Sequence, residues 1–185
     1  MSELNAFLVP VDEPGPKRRA VGKKVLAFLE EKGIVDGHYD DEPAWYAAGP
    51  NSSDLFSNVG DADDPAFEYA IIYDQSEAHF VPDSHTAGFG AACTNCGFGL
   101  DEALYEALAE QGEGEDAVDM VDASIECPGC RHANPLVNLK AEIPTAVTRF
   151  YINFCAVDSA DFSREIVEGL ENIVGAKLRV IPEQL

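Results

Sequence analysis

The chain has 185 residues, 34 of them acidic and 12 basic, for a formal charge of −22, with 46% apolar and 25% charged side chains. That apolar share excludes an acidic disordered tail as the whole protein, because disorder needs a depleted apolar fraction as well as charge. The length suits one domain, or a domain with an inserted module, that buries a core without staples, and the average field opposes direct nucleic-acid binding by repelling phosphates.

Residues 6–11 (AFLVPV) predict a short strand that ends near Pro10. Residues 12–16 are turn chemistry, and Pro16 suits a first helical position. Val21, Val25, Phe28 and Leu29 then recur at helical spacing, and Gly33 marks the stop. Residues 36–66 are rich in Asp, Gly, Pro, Asn and Ser without a period, which predicts a long surface loop anchored by Trp45 and Tyr46. A strand over 67–74 leads through a Gly-rich passage to a first cysteine pair. Leu100, Leu104 and Leu108 mark a short helix, and Gly112 to Asp116 form an acidic turn. A second cysteine pair follows, and residues 136–143 read as a strand leaving it.

The strongest strand pattern is 148–157, where Phe150, Ile152, Phe154 and Ala156 share a face. Asp158, Ser159 and Asp161 are candidate caps for a helix striped by Phe162, Ile166, Leu170 and Ile173 and stopped by Gly175. A closing strand covers 177–182. Without its middle, the order is strand, helix, strand, then strand, helix, strand. It predicts an α+β ferredoxin-like split βαβ sandwich formed by residues 1–89 and 143–185, with an inserted cysteine module over 90–142.

The charge is local. Between Lys32 and Arg131 there is no Lys or Arg, yet this stretch holds 22 of the acids, leaving the rest of the chain with twelve acids and twelve bases. Three readings fit: a solvated surface, a docking face for a basic partner, and imitation of nucleic acid. Adaptation of the organism to salt would spread acids everywhere, and the neutral ends count against it. The N-terminus lacks a basic leader and a sustained apolar run, and no stretch approaches eighteen apolar residues. The expectation is therefore a cytoplasmic protein, without membrane partners, whose thiols stay reduced.

Cys93-Thr94-Asn95-Cys96-Gly97 and Cys127-Pro128-Gly129-Cys130-Arg131 carry the clearest chemistry. Two residues between cysteines let both thiolates of one tight turn point at one ion, and two such turns supply the tetrahedral sulfur set that Zn²⁺ prefers in closed structural sites. A redox dithiol is the alternative, but that motif should open a helix after a strand, and Pro135 opposes a helix here. Cys155 sits mid-strand and reads as a small core residue. At these residues the chain resembles the zinc ribbon class over about residues 90–142. The resemblance implies Cys93, Cys96, Cys127 and Cys130 as ligands of one structural Zn²⁺. Arg131 departs from the glycine that many ribbons place there. Rubredoxins also have Cys-x-x-Cys-Gly followed by Cys-Pro-x-Cys, which would imply iron and electron transfer. Here only Phe98 and Tyr105 stand near the pairs, with no Trp in the segment.

No catalytic motif is found. His79 and His85 flank a turn, and His132 is placed to hydrogen-bond a thiolate, but none of the four histidines, His38 included, has metal-motif spacing. Gly88-Phe89-Gly90 precedes a knuckle rather than a helix, and the pairs Asp40-Asp41 and Asp63-Asp64 lack EF-hand spacing. A closed sulfur site offers no open position for Lewis-acid chemistry. The sequence thus points to a non-catalytic zinc-binding protein with an acidic surface for a protein partner. The alternatives are an acidic inhibitor of a basic protein, such as an immunity protein against a nuclease toxin, and a rubredoxin-like iron protein.

Overall fold

The computed structural model describes residues 4–12, 15, 19–40, 42–57, 65–109, 119–157 and 159–185. Among them are eight strands and three α-helices in a mixed α+β architecture. In chain order these are β1 (Leu4–Pro10), α1 (Gly22–Glu31), β2 (Val35–His38), β3 (Trp45–Ala48), β4 (Tyr69–Val81), α2 (Asp101–Ala109), β5 (Ser124–Glu126), β6 (Ala133–Pro135), β7 (Ala146–Cys155), α3 (Arg164–Val174) and β8 (Leu178–Gln184). Six strands form one sheet in the order β2-β3-β4-β7-β1-β8, every pairing antiparallel, and β5 and β6 form a separate hairpin.

Strand β7 is central and the most apolar, and alternation divides its side chains between two faces. Phe150, Ile152 and Phe154 meet Val25 and Leu29 of α1 and Ile166, Leu170 and Val174 of α3 in the first core. The two helices approach closely because Gly169 has no side chain: a Cβ there would lie 2.5 Å from the Phe28 ring. A second core joins Phe89, Leu100, Leu104, Leu108, Met120, Ile125 and Leu136 to Ala78 and Phe80 of β4 and Val147 of β7. The long strands β4 and β7 therefore serve both cores.

The free edge at β8 is blunted against strand addition. The Leu178 N–H donates to Glu171 Oε1 at 3.0 Å, the Gln184 carbonyl accepts from Thr86, and Pro182 has no N–H to offer.

Several expectations need correction. Residues 36–66 are not a continuous loop, since they contain most of β2, all of β3 and a 3₁₀ turn at Ser52–Leu55. These four-residue strands, one with a single buried residue and the other half-buried throughout, carry too little apolar alternation to be read from sequence. The segment after the second cysteine pair is the short β6 followed by a 3₁₀ turn over Leu136–Asn138, not a strand over 136–143. Helix α3 begins after Ser163 without a side-chain cap, and Ser159 Oγ instead accepts the Asp161 N–H. Pro16, Asp158, Asp41, the pair Asp63-Asp64 and the acidic turn at Gly112 to Asp116 lie outside the described residues. Among the described residues, no helix is long and apolar enough to cross a membrane.

Candidate metal centre

The two cysteine pairs build the same local structure twice. In the first, Cys93 N–H donates to the Phe98 carbonyl at 2.8 Å and Gly97 N–H to the Cys93 carbonyl at 2.9 Å. In the second, Cys127 N–H donates to the His132 carbonyl at 2.9 Å and Arg131 N–H to the Cys127 carbonyl at 2.8 Å. The matching positions after each pair are left-handed, with φ +75° at Gly97 and +59° at Arg131. The turn requires that conformation, and Arg131 adopts it despite its side chain. Gly129 is needed for closeness, since a Cβ there would lie 3.1 Å from the Phe98 ring.

The β5–β6 hairpin and the segment leading into α2 bring the knuckles face to face. Cys93 Sγ lies 3.7 Å from Cys130 Sγ, and Cys96 Sγ lies 3.6 Å from Cys127 Sγ. All four sulfurs lie within 4.8 Å of one another. Cys93 and Cys127 are buried and Cys96 and Cys130 are exposed, so the cluster has an inner and an outer pair. Sulfurs about 2.3 Å from a central ion at tetrahedral angles stand about 3.8 Å apart. The cluster can hold a metal ion, and among the described residues it is the only His, Cys, Asp or Glu group that gathers this way.

The surroundings of the four thiols shift them in different directions. Burial pushes the Cys93 thiol up, but N–H groups of Cys96 and Asn95, the Asn134 amide and the Cys127 thiol together bring it down to about 6. Cys130 is also lowered, by Asn95 and then the His132 N–H. Cys96 has the Phe98 N–H to pull it down, yet Cys130, burial, Cys127 and Cys93 push it up to about 12. Donors favour negative sulfur at two positions, and hydrogen bonding among the thiols together with burial opposes it at a third. A cation held between the sulfurs would favour the thiolate form at all four.

Two asparagines carry the surrounding contacts. Asn134, buried at the centre of β6, donates Nδ2 to the His132 carbonyl at 3.0 Å, the Ile125 carbonyl at 3.4 Å and Cys93 Sγ at 3.7 Å. Its Oδ1 accepts the Thr94 N–H at 2.9 Å and hydroxyl at 3.1 Å, tying one knuckle to the other. Asn95 donates Nδ2 to Cys130 Sγ at 3.5 Å, again across the knuckles. Sequence reasoning selected His132 for such a role and missed both asparagines. It is the backbone N–H of His132, not its imidazole, that reaches Cys130. The available signal was an amide inside one Cys-x-x-Cys turn and another just beyond the second.

No protein-family model, curated protein or solved structure matches the chain. The chemistry therefore rests on its own residues. His79 packs on the Tyr73 ring and His85 near Phe89 and Tyr105 rather than on each other. Cys155 is buried beside the Tyr69 hydroxyl, and burial first, then the Glu183 and Glu68 charges, push its thiol up to about 11 against the opposing Tyr69 hydrogen bond. It stands apart from the four-cysteine group.

Proposed function

We propose that the protein is a non-catalytic zinc-binding protein in which Cys93, Cys96, Cys127 and Cys130 hold one structural Zn²⁺ and an acidic surface serves a protein partner. The observation that carries the metal reading is the pair of cross-knuckle sulfur contacts at 3.6 and 3.7 Å, close to the edge of a zinc–sulfur tetrahedron. Four protein ligands leave no open position for water, so the binding energy goes into folding the surrounding segment. In this reading residues 90–142 are a zinc-ribbon module inserted into a ferredoxin-like scaffold of 1–89 and 143–185. The antiparallel order β4-β7-β1-β8 supports the scaffold, with β2 and β3 extending its edge. A cytoplasmic location keeps the thiols reduced and able to bind metal.

The test is elemental analysis of protein purified under reducing conditions. One zinc per colourless chain, and loss of hydrogen-exchange protection over 90–142 on chelation, are expected. Red protein with visible charge-transfer absorption assigns the site to iron and electron transfer. A chain without metal, whose 90–142 segment ignores chelator, overturns the structural-metal reading. The second reading, an acidic antagonist of a basic protein, is supported by the 22 acids without a counter-charge between Lys32 and Arg131. Salt-sensitive binding of a single purified basic protein would favour it.

A further inference from the structure

Helices α1 and α3 pack on one face of the six-stranded sheet. The other face carries half-buried rings from β3, β4, β7 and the β2–β3 turn, and its β1 end is closed by the buried Phe7. Trp45 of β3 stacks on Tyr69 of β4 with centroids 4.6 Å apart and planes 7° apart, and Tyr39 stacks on Tyr69 at 4.8 Å. Tyr73 of β4 stacks on Tyr151 of β7 at 4.8 Å, and Phe7 of β1 meets Tyr151 edge-on at 5.6 Å. Between the two stacks runs the cross-strand row Trp45, Ile71, Asn153 and Phe7.

One feature shows what chemistry this face prefers: carboxylates rim it. Tyr39 donates its hydroxyl to Glu68, and this bond, with burial and the Glu68 and Asp40 charges, pushes the phenol up to about 12. Tyr73 is raised by burial first and then by Glu77 and Asp119. Arg149, on the same side of β7, is committed to Asp119 Oδ2 at 2.8 Å and the Ser76 carbonyl at 2.7 Å. Asn153 at the centre of the face is buried, and its Oδ1 has no hydrogen-bond partner among the described residues. The face thus combines ring surfaces with negative potential, while the Asn153 oxygen lies beneath the surface, out of reach of a docked segment.

We propose that this aromatic face is a docking site for an arginine-rich segment of a partner protein. A guanidinium is attracted to ring faces, pairs with carboxylates and presents several N–H donors on a plane that stacks. Lysine supplies a point charge but no stacking plane, and nucleic acid brings phosphates that the same carboxylates repel. The inference rests on the acidic-surface reading above and names where the partner sits and what it offers.

Trp45 is the only tryptophan in the chain, so its emission reports directly on this face. The full-length, metal-loaded protein would be titrated at low salt with a labelled nona-arginine peptide, following both Trp45 emission and peptide anisotropy. Expected are a change in Trp45 emission that tracks binding, weaker binding of nona-lysine, and about a tenfold loss for the double variant Tyr73→Leu/Tyr151→Leu. The double variant Glu102→Gln/Glu126→Gln, at exposed positions beside the knuckles, should retain affinity within about twofold. Peptide binding that leaves Trp45 emission unchanged, or that depends on Glu102 and Glu126 instead, overturns this site while leaving an acidic docking surface elsewhere. Oligothymidylate binding more tightly than the peptide overturns it in favour of nucleic acid. No peptide binding at low salt overturns both this site and the acidic-surface reading.

Discussion

Asn134 donates Nδ2 to Cys93 Sγ at 3.7 Å while its Oδ1 holds the Thr94 N–H at 2.9 Å, so one buried amide serves a thiolate and fixes the turn that carries it. Groups in this position orient metal ligands, and their loss costs about 10–100-fold in metal affinity. Asn134→Ala removes both contacts and leaves the Ile125 and His132 carbonyls without this donor. Competition against a colorimetric zinc chelator should show that loss, with all four cysteines still present. Unchanged affinity would reduce Asn134 to a packing residue.

Arg131 occupies the same turn position as Gly97 with φ +59°, where an L side chain crowds the backbone. Its own side chain is exposed, so burial gives no reason to retain it. Arg131→Gly should release strain worth about 0.5–1 kcal/mol after the added freedom of the unfolded chain is discounted. The variant should resist chelator-induced unfolding better than the parent. The reverse experiment, Gly97→Ala, should destabilise the first knuckle by a similar or larger amount.

The two helices flanking the main sheet, the central strand and the cysteine knuckles were legible because each carries a local signature. For the helices it is a stripe at helical spacing, for β7 an apolar alternation, and for the knuckles paired thiols two residues apart. What escaped depends on contacts distant in sequence. Strand β3 exists because β4 offers it an edge, with Trp45 opposite Ile71 and Tyr46 opposite Ala70, and β3 in turn offers one to β2; nothing within VDGH or WYAA alone specifies a strand. The start of α1 follows the same logic: Val21 is an unremarkable residue there, and the cap arrives from β4. Asn134 is the clearest case, since its place just beyond a cysteine pair is only a weak signal until folding brings it to Cys93 and Thr94 of the other knuckle.

That cap is Asp74, whose carboxylate accepts the N–H groups of Ala20 at 3.1 Å and of Val21 and Gly22 at 2.7 Å each. A negative group at a helix N-terminus satisfies orphan donors and complements the dipole, and here it is also buried. Asp74→Ala should cost about 2 kcal/mol in urea denaturation, and Asp74→Asn less, because one oxygen remains. Metal content should be unchanged in both, since Asp74 ties α1 to β4 and not the knuckles.

Glu183 gives the pH dependence a definite sign. Its carboxylate is buried against Asn5 Nδ2 at 2.7 Å and the Ser84 hydroxyl at 3.1 Å. Burial raises its pKa above the ordinary 4.5; Asp83 adds to the rise, and the Asn5 and Ser84 hydrogen bonds oppose it. The folded state therefore holds this proton more tightly than the unfolded chain. Its stabilising contribution is fully present below the unfolded value of 4.5 and is lost as pH rises through the raised folded value. Glu183→Gln keeps an oxygen for Asn5 and turns an N–H toward the Ser84 hydroxyl, without a charge to desolvate. Denaturation of the two proteins in parallel across mildly acidic to neutral pH should show the variant gaining relative stability as pH rises. A constant or shrinking difference would mean that Glu183 is ionised in the folded protein throughout, held by its hydrogen bonds against the cost of burial.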